Sequence, residues 1–198
     1  MKQTSTRLII AGVDEVGRGA LFGPVVAAAV IVPAAAQSAL AQAGVTDSKA
    51  LSPGHRRNLY AEICALGVCS VGVASVEEID RINILQASLL AMRRAVHRLA
   101  LQPTYCLIDG NQHVPELGIA QKTLVKGDKR SLVIAAASIV AKVWRDRLIV
   151  RLAETYPHYD LASNKGYGTA KHRAGLNAVG LTRYHRRSFR ACRDVLAP

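Results

Sequence analysis

Acidic and aromatic residues are scarce in this chain of 198 residues. Asp and Glu together number 14 against 26 Lys and Arg, which leaves a net charge of +12 and a pI near 10.0. An excess of positive charge this large is typical of proteins with a polyanionic partner. Aromatic residues make up 5% of the chain, which argues against a surface built from many stacked bases.

Long apolar runs and metal-binding cysteine patterns are also missing. No apolar stretch is long enough to cross a bilayer, and the apolar run in the N-terminal MKQTSTRLII is too short for a signal peptide. We therefore expect a cytoplasmic protein with no membrane attachment. The four cysteines at 64, 69, 106 and 192 contain no CxxC pair, so we expect reduced thiols and no zinc site.

The order of predicted elements favours one α/β domain with a mixed sheet. Apolar runs predict strands at 8–13, 25–32, 68–76, 105–108 and 119–125. Glycine-containing segments join the first two strands, which indicates an antiparallel hairpin. Ser52 followed by Pro53 predicts the start of a helix at 53–66, and Ser75 with Glu78 resembles a capping box. Long helices are predicted at 84–100 and 131–156, followed by a looser helical tail from about 157 to 198. No repeat or linker divides residues 1–198, so we expect a single domain.

Carboxylates stand at the ends of these elements. Asp14 and Asp109 each follow an apolar strand, at the end of the strand where α/β proteins place ligands, and Asp128 precedes the long helix. Strand alternation would send the side chain of Glu15 to the opposite face from Asp14, so a turn or bulge at Gly17–Gly19 is needed to bring both to one site.

Clustered carboxylates are tolerated when a cation lies between them, and oxygen ligands suit Mg²⁺ or Mn²⁺. Each acid also has an ordinary structural role open to it. Asp128 suits a helix N-cap, Asp109 an Asp-Gly turn, and Asp14 and Glu15 a solvated turn.

Several short motifs, in the same order along the chain, resemble bacterial ribonuclease HII. They are GVDEVGRG at 12–19, GPVV at 23–26, DSK at 47–49, IDG at 108–110, KGD at 126–128, AAASIVAKVWRD at 135–146, and NKGYGT at 164–169 with His172. The resemblance implies a ribonuclease H-like fold, in which helices flank a mixed five-stranded sheet and a C-terminal helical segment binds substrate. It also implies metal-dependent cleavage of RNA in RNA–DNA hybrids and 5′ to single ribonucleotides in duplex DNA, which leaves 3′-hydroxyl and 5′-phosphate ends.

The resemblance also assigns residues. Asp14, Glu15, Asp109 and Asp128 match the four acids that would hold two metal ions for phosphodiester hydrolysis, a mechanism that requires no histidine base. The substrate-binding residues that it implies, or that lie close to these motifs, are Gly17, Arg18, Gly19, Lys49, Lys126, Ser131, Tyr167 and His172. Of these, the GRG backbone suits contact with a 2′-hydroxyl, because glycines allow a close approach and the 2′-hydroxyl distinguishes RNA from DNA.

Other features leave alternatives open. We interpret Arg145, Asp146 and Arg147 as a charged patch on the long helix and not as part of the metal site. The basic tail at 182–193 suits either phosphate contacts or a solvated end. Ala20, Phe22 and Ala50 depart from the residues common in the family, which affects the expectation for specificity more than that for activity.

The rival functions are a binding module without chemistry, a related DNA nuclease and a small-molecule phosphatase. We expect a monomer.

Overall fold

The computed structural model describes residues 8–46, 48 and 51–196, and these contain a five-stranded sheet with strand order β3-β2-β1-β4-β5. The strands are β1 (Ile10–Val16), β2 (Val25–Ile31), β3 (Val68–Ala74), β4 (Tyr105–Asp109) and β5 (Ala120–Leu124). Strands β1, β2 and β3 are antiparallel neighbours, whereas β4 lies parallel to β1 and β5 parallel to β4. The predicted mixed sheet and the β1–β2 hairpin are confirmed.

Helices cover both faces of this sheet. They are α1 (Ala34–Gln42), α2 (Pro53–Leu66), α3 (Val76–His97), α4 (Leu132–Thr155), α5 (Leu161–Asn164), α6 (Ala170–Val179) and α7 (Arg190–Leu196). Helix α3 packs on one face, while α1, α2 and α4 pack on the other. Strand β2 is buried along its whole length because both of its faces are covered.

The C-terminal elements form a third apolar cluster beside the sheet. Its centre is the fully buried Phe22, whose ring lies against the rings of Tyr156, Tyr159, Tyr184 and His185 at centroid distances of 5.0–6.5 Å. The predicted helical tail is therefore held against the segment that follows β1. Phe22, one of the departures from the family pattern, is a core residue here.

Two sequence predictions need correction. Helix α1 was not predicted, because its residues are mostly alanine and it buries only Ala36 and Leu40. Helix α3 begins at Val76 and not near residue 84. It bends at Asn83, which has φ 66° and accepts hydrogen bonds from the backbone N–H groups of Leu85 and Gln86. This internal cap restarts the helix, and the apolar periodicity shows clearly only after it.

The predicted caps are present. Ser52 accepts a hydrogen bond from the backbone N–H of His55, with Pro53 at the first helical position, and Ser75 with Glu78 forms a capping box. Among the described residues, no helix combines the length and the apolar character that a bilayer crossing requires.

Candidate active site

The two strands that carry the predicted acids are parallel neighbours. Val13 on β1 is paired with Ile108 on β4, so Asp14 and Asp109 occupy the next position on each strand, at the same edge of the sheet. Strand β1 runs on through Val16 in unbroken register with β2, so both Asp14 and Glu15 belong to the strand and no bulge separates them. The chain turns only at Gly17, where φ is +90°.

These carboxylates interact electrostatically. Burial raises the pKa of Asp14 well above its usual range, and the charges of Glu15 and Asp109 raise it further. Burial also raises the pKa of Glu15; Arg18, 3.2 Å away, opposes that shift, while Asp109 adds to it. Adjacent strand residues point to opposite faces, yet Asp14 and Glu15 both lie close enough to Asp109 for its charge to raise their pKa values.

Asp14 is further held by a serine that sequence reasoning did not identify. Ser138, on the buried face of α4, forms a hydrogen bond to Asp14 that partly offsets the rise in the pKa of that carboxyl. Its hydroxyl also lies 2.7 Å from that of Ser48, so the two buried serines form a hydrogen-bonded pair beside Asp14. A lone serine within the alanine run of α4 was the available signal.

A tight turn links Asp109 to the segment that carries Asp128. The backbone N–H of Gly127 donates to Asp109 Oδ1 at 2.7 Å, and Gly127 opens a 3-10 turn that contains the half-buried Asp128. Lys126, just before the turn, is exposed and has φ 56°. The turn that carries Asp128 is thus attached directly to the carboxylate of Asp109.

The chemistry of this donor set suits a hard divalent cation, although the ligands are not gathered in advance. Among the described residues, no three His, Cys, Asp or Glu side chains are grouped as a cation site. Mg²⁺ normally takes only one or two carboxylates from a protein and completes its shell with waters and substrate phosphate oxygens. Burial and the charge of Asp109 raise the pKa values of both Asp14 and Glu15, and Glu15 also raises that of Asp14, so these are groups whose ionised forms such a cation would stabilise.

The loop after β1, residues 17–24, which we call the GRG loop, lies against the loop that contains Tyr167. Ala20 pairs with Tyr167 in an isolated antiparallel bridge, and the backbone N–H of Leu21 donates to the carbonyl of Gly166 at 2.8 Å. Arg18 in turn contacts Glu15. The structure therefore brings Tyr167, the GRG loop and the acid at the end of β1 into one neighbourhood.

The ring of Tyr167 packs against cationic side chains. The Cζ of Arg145 lies 5.6 Å from the centroid of its ring, and the Nζ of Lys142 lies 5.9 Å from it. Arg145 has no exposed surface, so our interpretation of Arg145, Asp146 and Arg147 as a charged patch on the long helix is wrong for Arg145. Asp146 is engaged by Lys142 at 2.9 Å, which accounts for it without a ligand role.

His172 lies beneath Tyr167 and has no exposed surface, so it does not face a substrate in this structure. Its Nδ1 is 3.0 Å from the carbonyl of Tyr167, and its Nε2 is 3.1 Å from Nε2 of the buried His185. His185 Nδ1 accepts from the backbone N–H of Thr182, which places the His185 proton on Nε2 and the His172 proton on Nδ1. Both rings are therefore neutral, and together they connect the C-terminal segment to Tyr167.

This histidine pair predicts a loss of stability in mild acid. Burial and, after it, the neighbouring His172 lower the pKa of His185 to about 4. Its pKa in the unfolded chain is about 6.5, so the unfolded state takes up the proton first as the pH falls. The stabilisation is complete above pH 6.5 and is lost towards pH 4, by roughly 2–3 kcal/mol. Urea denaturation at pH 7, 5.5 and 4.5 measures this change.

The matched variant for that experiment is His185→Asn, which keeps an acceptor for the Thr182 N–H but does not titrate. We expect it to be less stable than the wild type at pH 7 and to lose less stability on acidification. Parallel pH profiles for the two proteins would contradict the assignment to His185.

Two predicted substrate residues, Ser131 and Lys49, have yet to be placed. Ser131 precedes α4 and lines an apolar cavity of about 590 Å³ together with Ile10 and Leu107, next to the start of β1. Lys49 lies outside the described residues, as does Ala50.

The comparisons with known proteins agree with this geometry. The family model described as Ribonuclease HII matches residues 11–192 of the chain. The chain belongs to the ribonuclease HII family. A Ribonuclease HII of Acaryochloris marina is 62% identical over 190 residues, covering 96% of each chain. That of a Synechocystis species is 58% identical over 189 residues, covering 94% of this chain and 98% of the relative.

Solved structures share the fold. The ribonuclease H2 of Pyrococcus horikoshii OT3 superposes with a TM-score of 0.82 at 25% identity, covering 95% of this chain and 97% of the other. The ribonuclease HII in the PCNA complex of Archaeoglobus fulgidus gives 0.78 at 29% identity, covering 90% and 94%. A ribonuclease HIII solved with Mn²⁺ gives 0.72 at 19% identity, covering 96% of this chain and 69% of the other, which shows the fold alone.

Membership of the ribonuclease HII family makes this chain a hydrolase of the ribonuclease H type, an endonuclease that degrades the RNA of RNA–DNA hybrids. The ribonuclease H family depends on a divalent metal.

Proposed function

We propose that this ribonuclease HII cuts 5′ to ribonucleotides, including a single ribonucleotide within duplex DNA, and leaves 3′-hydroxyl and 5′-phosphate ends. The observation that supports this most directly is the bridge between Ala20 and Tyr167, beside the contact of Arg18 with Glu15. A loop suited to a 2′-hydroxyl thus lies next to carboxylates suited to metal. The cellular role that follows from this specificity is removal of ribonucleotides during DNA replication and repair, in the cytoplasm.

The acids are the proposed catalytic groups. Asp14, Glu15 and Asp109 would hold Mg²⁺ or Mn²⁺, as two ions when substrate is bound, and Asp128 would complete one site. When bound, these ions supply the charge that lowers the pKa of an attacking water and stabilises the leaving oxygen. Ser138 orients the carboxyl of Asp14, and the backbone N–H of Gly127 orients that of Asp109.

The neighbouring residues are proposed to read the sugar. The backbone of Gly17, Arg18 and Gly19 would bond the 2′-hydroxyl, and Tyr167 would stack on the following deoxyribose. Arg18 and Gly19 are exposed, and a side chain at Gly19 would meet open space. Lys49, Lys126 and Ser131 are the proposed phosphate contacts. His172 would support Tyr167 from the interior by donating a hydrogen bond from its Nδ1 to the backbone carbonyl of that residue. We propose a monomer formed by one domain over residues 1–198, with about 157–198 as its substrate-binding segment.

One substrate series tests this proposal. A labelled DNA duplex with a single ribonucleotide, the same duplex without it, and a uniform RNA–DNA hybrid are incubated with Mg²⁺ or Mn²⁺, and the ends are mapped. We expect one cut 5′ to the ribonucleotide, no cut in the all-DNA duplex, and no activity in EDTA. Cleavage of the all-DNA control would favour a related DNA nuclease, and a cut 3′ to the ribonucleotide would refute the proposed specificity.

A cationic cleft between α2 and α4 supports binding of a long duplex. It has a volume of about 550 Å³ and lies beside Lys165, two residues before Tyr167. Arg57, Arg147 and Arg151 are exposed along it, and none of the three is within salt-bridge distance of an acid in the described part of the chain. Cations that have no acidic partner among the described residues suit the phosphates of a duplex that continues past the cut.

The double variant Arg147→Gln with Arg151→Gln should therefore weaken binding of a long duplex. Each lost phosphate contact reduces the slope of log K against log salt by about 1, and we expect a several-fold rise in KM at 150 mM salt with kcat unchanged. Fluorescence anisotropy across a salt series measures the slope. Arg98→Gln, an exposed arginine at the end of α3 on the other face of the sheet, removes one charge as a control. An unchanged slope in the double variant would exclude the cleft.

A further inference from the structure

Two fully buried arginines lie under the GRG loop, and neither has a carboxylate partner within the described part of the chain. Arg145 on α4 and Arg186 in the C-terminal segment have no exposed surface, and no salt bridge to either is found among the described residues. Burying a guanidinium without a carboxylate is costly unless its N–H groups are satisfied in another way. The partners of these side chains therefore indicate what the two buried charges hold in place.

Arg145 joins the GRG loop to the loop that contains Tyr167. Its Nη2 donates to the carbonyl of Phe22 at 3.0 Å, its Nε to that of Pro24 at 3.1 Å, and its Nη1 to that of Lys165 at 2.9 Å. The same guanidinium lies under the ring of Tyr167. One planar side chain thus fixes both loops and the tyrosine relative to each other.

Arg186 holds the same loop from its other side. Its Nη1 donates to the carbonyl of Arg18 at 2.8 Å and its Nε to that of Gly23 at 3.0 Å, while its own backbone N–H donates to Leu21. The guanidinium lies 5.1 Å from the ring centroid of Phe189. Burial and, after it, the nearby Arg145 lower the pKa of Arg186 to about 9. Among the described residues its Nη2 has no hydrogen-bond partner, so the bonded carbonyls offset the cost of burying this charge only in part.

The hydrogen bonds of the two arginines orient the backbone of the GRG loop. Two guanidinium groups draw the carbonyls of Arg18, Phe22, Gly23 and Pro24 towards the interior. Within the described part of the chain, the backbone N–H groups of Arg18 and Gly19 donate no hydrogen bond to the fold. These two amides therefore remain available on the exposed side of the loop.

We infer that Arg145 and Arg186 are positioning residues for ribose recognition, which hold the GRG loop and Tyr167 in the arrangement that presents the loop amides to a 2′-hydroxyl. This inference rests on the proposed function and assigns part of its specificity to two side chains that do not touch the substrate. A displacement of about 1 Å at such a site commonly lowers activity by about 10²-fold.

The test compares Arg145→Met and Arg186→Met with the wild type on two duplexes. One carries a single ribonucleotide, and the other carries a 2′-fluoro-deoxynucleotide at the same position. Single-turnover rates with excess enzyme and Mn²⁺ give the ratio of the two rates. We expect this ratio to fall at least tenfold in both variants and less in Arg145→Lys, which keeps the charge and one donor group.

The ratio separates positioning from folding, because a smaller folded fraction lowers both rates equally. Arg94→Met is the control: Arg94 on α3 also donates to a backbone carbonyl, that of Val73 at 2.7 Å, and pairs with Glu78. It belongs to the helix on the other face of the sheet, and among the described residues none of its hydrogen bonds reaches the GRG loop. We expect this control to lose stability with the ratio unchanged.

Two other results have distinct meanings. An unchanged ratio in Arg145→Met and Arg186→Met, in folded protein, overturns the inference and leaves the proposed function intact. Absence of cleavage of the single-ribonucleotide duplex by the wild type refutes the proposed function itself. Should either methionine variant fail to fold, the ratio in Arg145→Lys and an Arg186→Lys variant decides instead, and no change there also overturns the inference.

Discussion

Asp109→Asn should lower kcat on an RNA–DNA hybrid by at least about 10³-fold with Mg²⁺, while the affinity for the hybrid changes little. The substitution keeps the shape of the side chain and one acceptor for the N–H of Gly127, so the turn that carries Asp128 stays in place. It removes one of the charges that raise the pKa values of Asp14 and Glu15. Asp109→Asn therefore removes negative charge that would bind a divalent cation.

A second readout separates metal binding from chemistry. Mn²⁺ should raise the melting temperature of the wild type, because an ion that binds only the folded state stabilises it, and the rise should be smaller in Asp109→Asn. Glu116→Gln removes the same charge from an exposed carboxylate that pairs with Arg93, and we expect wild-type rates from it. Near wild-type cleavage by Asp109→Asn in Mg²⁺ would mean that the acids are assigned wrongly.

Gly12→Ala should destabilise the protein by at least about 3 kcal/mol, the largest stability effect that we expect from a single methyl group. A Cβ at Gly12 would lie 2.1 Å from the backbone carbon of Val133 and 2.2 Å from its oxygen. The obstacle is the backbone of α4, which cannot move without shifting Ser138 away from Asp14. Urea denaturation followed by circular dichroism measures the loss.

Another glycine provides the matched control. Gly54 lies in the first turn of α2, where an added Cβ would meet nothing within 4 Å, so Gly54→Ala should be neutral or stabilise by up to about 1 kcal/mol. Gly72→Ala on β3 should behave like Gly12→Ala, because its Cβ would lie 2.0 Å from the carbonyl oxygen of Ala91 on α3. Equal stability of Gly12→Ala and Gly54→Ala would show that α4 is not held at backbone contact.

Much of the fold could be predicted because local signals are strong. Continuous apolar runs indicated β1 and β2, and Ser52 with Pro53 predicted the start of α2. Ser75 with Glu78 resembled a capping box, but the predicted helix was placed from residue 84 onwards. Helix α1 and the first turns of α3 could not be predicted, because the first has few large apolar residues and the second ends at an internal cap whose geometry is visible only in the fold.

Some residues of the candidate site could likewise be predicted from the sequence, and others could not. The motifs indicated the four acids, the GRG segment and Tyr167, since these residues are adjacent to elements or to glycines in the sequence. Arg145 and Ser138 gave no comparable signal: one reads as a surface charge on a helix and the other as a small residue among alanines. Their roles follow from partners more than a hundred residues away, the carbonyl of Phe22 and the carboxyl of Asp14.

The sequence by itself therefore determined the family and the order of the five strands, and it singled out four acids as candidates, because these depend on short contiguous patterns. Tertiary structure alone decided which strand ends lie side by side, that Arg145 and Arg186 are buried beneath the GRG loop, and that His172 faces His185 rather than solvent. The physical reason is that burial and hydrogen-bond partners are properties of segments distant in the chain, and they exist only once the sheet and its helices have packed.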